Sequence, residues 1–195
     1  MFILADRPPT EGEARVLCDA PAGEVGEIAF AGLSAAQGYF RNPEATAQTF
    51  VNGWVRTGDL GRIDHEGVLH YVDRMKDVIN RGGLKISSAA VEDAIHRCPG
   101  LAEVAVVAHP KLGENVAVCI VADASCVLDM EQVRETCARL LADYEVPRHW
   151  LVLPSLPKNP MGKILKQELR LQVARALASG GAVPGGDGFT VLLFK

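Results

Sequence analysis

The stretch from Trp54 to Gly83, WVRTGDLGRIDHEGVLHYVDRMKDVINRGG, constrains this chain most, because glycines interrupt its apolar runs at close intervals. Short apolar runs bounded by glycine predict β-strands joined by tight turns. Asp59, Arg74 and Lys76 stand among these turns. Two interpretations are open: surface hairpins with solvated charges, or loops on a rigid sheet whose charges hold a ligand.

A second segment, LPKNPMGKILKQELR at 156–170, places Lys163 between a turn rich in proline and glycine and a helical pattern. Leu165, Leu169 and Val173 recur at helical spacing, so they predict one apolar face. An ammonium at the tip of such a turn can reach a phosphate or a carboxylate. The alternative is an ordinary solvated lysine.

Composition predicts a soluble protein of one or two small domains, with 48% hydrophobic and 23% charged residues in a chain of 195. The net charge is −4 and the cations are dispersed, which argues against nucleic acid as the main partner. No apolar run is long enough to span a bilayer, and the apolar run after Met1 is too short for a signal peptide. We therefore expect a cytoplasmic protein.

Cysteine and histidine spacing indicates neither disulfides nor a metal site. The chain has five cysteines without any Cys-x-x-Cys pair, which predicts free and mostly buried thiols. His65, Glu66 and His70 miss the helical zinc spacing by one residue, and Gly67 would break a helix there. This segment is predicted to be a hairpin turn, and we expect no metal ligands.

The order of the predicted elements indicates an α+β fold, with a small β-rich subdomain followed by a compact α+β domain. The first part has predicted strands at 13–19, 24–30, 54–57, 62–64 and 68–72 and a short helix at 42–50. In the second part, Ser88 is the predicted N-cap of a helix, and Asp129 that of another, whose apolar face runs from Val133 to Tyr144. Predicted strands at 101–108, 116–122 and 149–153 form a short sheet with flanking helices. The glycine-rich run after Leu177 is predicted to be flexible.

Four segments, taken in order, resemble the adenylate-forming (AMP-binding) superfamily: 23–50, 54–64, 73–87 and 156–166. This superfamily includes acyl-CoA synthetases, luciferases and adenylation domains, and GKILKQELR is most similar to the acyl-CoA synthetase branch. The resemblance implies that 1–74 is the incomplete C-terminal subdomain of the AMP-binding domain. It implies that 75–178 is the mobile C-terminal lid domain, followed by a flexible tail at 179–195.

The resemblance also implies roles for the charged residues. Asp59 matches an aspartate that accepts hydrogen bonds from the ribose hydroxyls of ATP, and Arg74 matches a residue on the ribose or phosphate side. Lys163 matches the catalytic lysine that bridges the substrate carboxylate and the α-phosphate.

Three further residues match the moving parts of the family. Lys76 falls at the hinge between the large domain and the lid. Gly82 and Gly83 match a loop that lines the pantetheine tunnel, where a side chain would block a thin ligand arm. Ser88 and Ala90 depart from the family, since many relatives have proline and glutamate there.

The implied reaction joins a carboxylic acid to CoA through an acyl-adenylate, in the setting of fatty acid metabolism. ATP and CoA are the implied cofactors, and Mg²⁺ would be held by ATP and by a missing N-terminal half. The family's phosphate loop and acyl pocket lie upstream of the matched region, so we expect the chain to be inactive without that half, which could be a separate polypeptide. The alternatives are a non-catalytic module that binds CoA or a carrier, and a truncated remnant of a ligase or adenylation domain.

Overall fold

A computed structural model describes residues 2–4, 20–110, 114–178 and 190–193. The chain divides into two compact units, Met1–Lys76 and Asp77–Lys195. The first unit is mainly β-structure, and the second combines a sheet with three helices. The α+β class predicted from the sequence is confirmed. In the described part of the chain, no helix has the length and apolar character needed to cross a membrane.

The first unit is built around one long strand, β4, to which the other strands of the sheet connect. Its elements are β1 (Phe2–Leu4), β2 (Gly26–Phe30), α1 (Pro43–Thr49), β3 (Phe50–Val51), β4 (Trp54–Ile63) and β5 (Leu69–Arg74). The strands form an antiparallel sheet in the order β1-β2-β4-β3, with β5 also paired to β4. Helix α1 confirms the short helix predicted at 42–50, and the Asn42 side chain caps it by accepting the N–H of Ala45.

Strand β4 corrects the prediction of two separate strands at 54–57 and 62–64. Gly58 has φ of 72° but does not end the strand. The register against β2 shifts between Glu27 and Ala29, so a bulge on β4 accommodates this glycine. A glycine within a strand therefore bends β4 rather than breaking it. The strand predicted at 13–19 lies outside the described residues.

The second unit contains a four-stranded sheet and a separate hairpin. Its elements are β6 (Ile79–Arg81), β7 (Leu84–Ile86), α2 (Ser88–His96), β8 (Leu101–Pro110), β9 (Glu114–Ala122), α3 (Met130–Leu140), β10 (His149–Val152), α4 (Lys166–Ala178) and β11 (Thr190–Leu193). The sheet order is β11-β10-β9-β8, and only the β9–β10 pair is parallel. Strand β11 comes from the apolar end of the chain, within the segment predicted to be a flexible tail.

Both faces of β8 and β9 are buried, which explains the apolar runs in these two strands. Val104, Val106 and Ala108 belong to the core cluster that includes α2 and α3. Ala105 and Val107 belong to the opposite cluster, which includes α4. Successive residues of a strand point to opposite faces, so a strand is apolar at successive positions where helices cover both of its faces.

Two helix termini differ from the predictions. The N-cap of α2 is Ser87, whose Oγ accepts the N–H of Ala90, while the predicted cap Ser88 is buried in the first turn. Helix α3 begins at the predicted cap Asp129 but ends at Leu140. The predicted apolar face therefore stops early, and Tyr144 is 39% exposed. Leu141 is extended (φ −113°, ψ 153°), so the helical period does not continue beyond it.

The cysteines within the described residues are all free, as predicted. Cys98, Cys119 and Cys137 are buried and Cys126 is exposed, while Cys18 lies outside the described residues. Burial raises the pKa of the Cys119 thiol to about 12, so this side chain stays protonated and acts as a small apolar group.

Candidate functional site

The turn that presents Asp59 is organised by a buried carboxylate on the neighbouring strand. Glu27 is 8% exposed, and its Oε2 accepts hydrogen bonds from Arg56 Nε at 2.8 Å and Nη2 at 2.6 Å. Its Oε1 accepts the Gly58 N–H at 3.1 Å. The Thr57 hydroxyl donates to the Ile28 carbonyl at 2.8 Å. These bonds join β2 to the bulged part of β4 directly before Asp59.

Asp59 and Arg74 are cross-strand partners on β4 and β5. Arg74 Nε lies 2.8 Å from Asp59 Oδ1. This oxygen is buried, yet within the described residues it accepts no hydrogen bond, so the contact with Arg74 is an ion pair in which the N–H is poorly aligned. The Asp59 side chain as a whole is 26% exposed, so a hydroxyl donor can approach its carboxylate from the side away from Oδ1. The structure brings these two predicted nucleotide-binding residues together.

The segment from Asp64 to His70 is a hairpin turn between β4 and β5, as predicted. Asp64 Oδ1 accepts the N–H groups of Glu66 and Val68, both at 2.9 Å, and Oδ2 lies 2.6 Å from His70 Nε2. The hydrogen bond from His70 and that from Val68 lower the pKa of Asp64 to about 2. Across the described ranges, no three His, Cys, Asp or Glu side chains are grouped so that they could hold a metal ion.

Lys163 lies in a turn that the side chain of Asn159 holds in place. Asn159 Oδ1 accepts the N–H of Met161 at 3.0 Å and the N–H of Lys163 at 2.9 Å. The Asn159 N–H donates to the Lys163 carbonyl at 2.9 Å. Gly162 has φ of 80°, a conformation that favours glycine. These hydrogen bonds fix the backbone of the turn, while the Lys163 side chain is exposed.

Lys163 differs from the other cations of segment 156–170, because each of the others forms an ion pair with a carboxylate. These three ion pairs join Lys158 to Glu103 at 2.5 Å, Lys166 to Glu92 at 2.8 Å, and Arg170 to Asp77 at 2.9 Å. Within the part of the chain that the structure describes, Lys163 forms no ion pair. Its exposed ammonium is thus available to an anionic ligand.

Gly82 and Gly83 form the two-residue turn of the β6–β7 hairpin. Their φ angles are 60° and 90°, as a tight hairpin turn with two left-handed residues requires. A Cβ added at either position would meet no atom of the described chain within 4 Å. Backbone conformation therefore requires glycine here, whereas the sequence suggested that crowding by a ligand was the reason. Their place in a pantetheine tunnel stays a prediction.

The predicted site residues are divided between the two units. Asp59, Arg74 and Lys76 belong to the first unit, of which the exposed Lys76 is the last residue. Lys163 and the Gly82–Gly83 turn lie on separate loops of the second unit.

Sequence reasoning missed two residues that support the site, Glu27 and Asn159. A glutamate within the apolar strand GEIAF was a detectable signal for Glu27, because an acidic residue on a buried strand needs a partner.

Residues 90–163 match the model of the AMP-binding enzyme C-terminal domain. The chain belongs to the adenylate-forming (AMP-binding) superfamily and corresponds to the C-terminal portion of its members. This confirms the resemblance inferred from the four sequence segments.

The curated relatives are acyl-CoA ligases, which confirms the branch. The chain is 46% identical to the long-chain-fatty-acid–CoA ligase FadD13 of Mycobacterium tuberculosis, over 69% of this chain and 27% of that ligase. It is 36% identical to a long-chain-fatty-acid–CoA ligase of Escherichia coli, over 84% of this chain and 30% of that ligase. The crystal structure of ATP-bound MatB from Rhodopseudomonas palustris superimposes with a TM-score of 0.75 and 33% identity, over 82% of this chain and 32% of MatB. The chain thus spans less than a third of the length of each of these proteins.

Proposed function

We propose that this chain is the C-terminal part of an ATP-dependent, AMP-forming acyl-CoA synthetase, and that Lys163 is its catalytic residue. Lys163 carries the proposal because its ammonium is exposed and without an ion-pair partner in the described residues, while the neighbouring cations are paired. In this proposal 1–74 ends the large AMP-binding domain, 75–178 is the mobile lid and 179–195 is a tail.

In the first half-reaction, a carboxylate oxygen of the substrate attacks the α-phosphorus of ATP, and pyrophosphate leaves. Lys163 binds the substrate carboxylate and the α-phosphate, and its positive charge stabilises the negative charge of the transition state. Asp59 accepts hydrogen bonds from the ribose hydroxyls on the accessible side of its carboxylate, since a single carboxylate oxygen has lone pairs for two donors. Arg74 holds Asp59 in place and offers its remaining donors to the ribose or phosphate.

In the second half-reaction, the thiol of CoA attacks the acyl carbonyl, the bond between the acyl carbon and the adenylate oxygen breaks, and AMP leaves. Lys76 is the hinge at which the lid rotates between the two half-reactions. The Gly82–Gly83 turn then faces the pantetheine arm, and the absence of side chains there leaves a narrow ligand room to pass.

Several components of this reaction come from outside the chain. The triphosphate, the acyl group and Mg²⁺ are held by an N-terminal half, supplied in the same polypeptide or as a separate partner. The described residues contain no carboxylate cluster suited to Mg²⁺, so no step is assigned to them through the metal. The substrates are a carboxylic acid and CoA, and the cytoplasm is the proposed location.

The test combines this chain with the N-terminal segment of an acyl-CoA ligase relative, ATP, CoA and a panel of fatty and aromatic acids. Formation of AMP and thioester is measured by mass spectrometry. We expect Lys163→Ala to slow acid-dependent pyrophosphate exchange on the order of a hundredfold or more. Arg139→Ala, which removes an exposed cation from the same unit, should leave the rate unchanged. An unchanged rate in Lys163→Ala would reject the proposed mechanism.

A further inference from the structure

Helix α4, which follows the Lys163 turn, carries two cations that each bind residues distant in sequence. Lys166 and Arg170 are four residues apart and therefore lie on the same side of the helix. Arg170 Nη2 donates to Asp77 Oδ1 at 2.9 Å. Lys166 Nζ lies 2.8 Å from Glu92 Oε1 and donates to the Ser88 hydroxyl at 2.9 Å.

Both ion pairs are partly desolvated, unlike typical surface pairs. The side chains of Asp77 and Arg170 are 11% and 26% exposed, and those of Glu92 and Lys166 are 21% and 18% exposed. Ion pairs of this kind are screened less by solvent than fully exposed pairs. Removal of one partner leaves the other with a charge that is only partly hydrated.

Glu92 extends the connection into the sheet. Its Oε1 accepts the backbone N–H of Val106 at 2.7 Å in addition to the contact with Lys166. One carboxylate oxygen on α2 therefore contacts both α4 and β8. Charged hydrogen bonds of this length are strong and directional, so they restrict rotation of α4 about its own axis.

Apolar packing holds α4 as well. Leu169, Val173 and Ala176 are fully buried in the core cluster that faces this helix. Solvent exposure is thus confined to the remaining part of the helix surface. A helix that is held by both apolar packing and ion pairs moves as a rigid element together with the residues that it contacts.

The two ends of this ion-pair network lie next to residues of the proposed mechanism. Lys163 precedes α4 by three residues, and the Leu165 N–H donates to the Pro157 carbonyl at 2.8 Å, which closes the turn onto the helix start. At the other end, Asp77 is the residue directly after Lys76. The network therefore connects the Lys163 turn to the first residue beyond the proposed hinge.

We propose that Arg170 and Lys166 are positioning residues, which couple the segment after Lys76 to the Lys163 turn so that both move as one body. This inference rests on the proposed function, because it assigns a purpose to the connection between the hinge and the catalytic lysine. Arg170 and Lys166 do not touch the substrate; they act through Lys163.

The coupling can be measured in the full chain without any enzymatic activity, by amide hydrogen exchange. We expect Arg170→Met to raise the exchange of Lys163, Leu165 and the amides of 78–81 on the order of tenfold, because local opening becomes easier. Arg170→Lys should restore most of the protection. Arg134→Met is the matched control, since Arg134 forms a wider pair with Glu131 at 3.8 Å on the surface of α3.

Three outcomes of the exchange experiment would overturn the inference. They are unchanged exchange in Arg170→Met, acceleration confined to the amides of α4, and an equal acceleration at Val118 in the centre of the sheet. The last of these would indicate global destabilisation rather than coupling.

A second measurement uses the enzyme assembled with an N-terminal segment. Arg170→Met should lower kcat for adenylation with little change in KM for ATP, and it should have no further effect in a Lys163→Ala background. Independent, multiplicative effects would reject a role through Lys163. If the assembled wild type is inactive, the proposed function fails, while the exchange experiment still decides whether the coupling exists.

Discussion

The Glu27–Arg56 pair offers the sharpest test of how the first unit presents Asp59. Glu27 Oε2 accepts two N–H groups of Arg56, and Oε1 accepts the N–H of Gly58. A glutamine at position 27 has one carbonyl oxygen, so it can accept from Arg56 or from Gly58 but presents its NH₂ group to the other. Either orientation places two donors against each other in a site where the Glu27 side chain is 10% exposed.

The loss of stability expected for Glu27→Gln follows from these contacts. Loss of a hydrogen bond to a charged group costs about 1.5–3 kcal/mol, and both side chains are buried enough that solvent replaces little of it. We therefore expect Glu27→Gln to lower the free energy of unfolding of the first unit by about 2 kcal/mol. With a urea m-value of about 1 kcal/mol/M, the midpoint should fall by about 2 M, or the unit should be unfolded without denaturant.

The assay uses the fact that each unit contains one of the two tryptophans, Trp54 and Trp150. In a Trp150→Phe background, urea unfolding followed by Trp54 fluorescence reports on the first unit. Glu66→Gln, at an exposed position of the same unit, should shift the midpoint by less than about 0.5 M. A Glu27→Gln midpoint equal to that of Glu66→Gln would refute the reasoning.

Acid and glycine substitutions test the remaining local structure. The folded pKa of Asp64 is lowered to about 2, below its unfolded value near 4, so its contribution to stability is present above about pH 4 and is lost as pH falls through 2. Urea midpoints measured from pH 5 to pH 2 should therefore fall more steeply in the wild type than in Asp64→Asn; parallel curves would contradict this. For the glycines, we expect Gly83→Ala to lower the free energy of unfolding of the second unit by about 1 kcal/mol, because an alanine is strained at a φ of 90°. Gly61→Ala should lower the free energy of unfolding of the first unit by about 1–3 kcal/mol, because its Cβ would lie 2.9 Å from the His70 carbonyl oxygen. A urea midpoint of the first unit that is unchanged in Gly61→Ala would show that crowding at Gly61 is relieved.

Local sequence patterns were sufficient for much of the fold. The apolar runs at 101–108 and 116–122 predicted strands, and Asp129 predicted the start of α3. These signals depend on residues within a few positions of each other, which is the range over which helical and strand periodicity acts. The ordered motifs likewise identified the superfamily, since each motif lies within one short segment.

Local patterns were insufficient where neighbouring strands changed the outcome. The glycines of β4 predicted two strands, but pairing with β2 accommodates Gly58 in a bulge. Ser87 and Ser88 are equivalent as caps in the sequence. In the structure Ser88 is buried and accepts a hydrogen bond from Lys166, 78 residues away.

The amino-acid sequence determined the types of element, their order, the superfamily and the candidate residues. Tertiary structure decided which charges are compensated: Asp59 pairs with Arg74, Arg170 with Asp77, and Lys163 with no residue of the described chain. The physical reason is the distance along the chain over which each effect acts. Periodicity and capping act between neighbours in sequence, whereas the state of a charge depends on whichever groups the fold brings within a few ångströms.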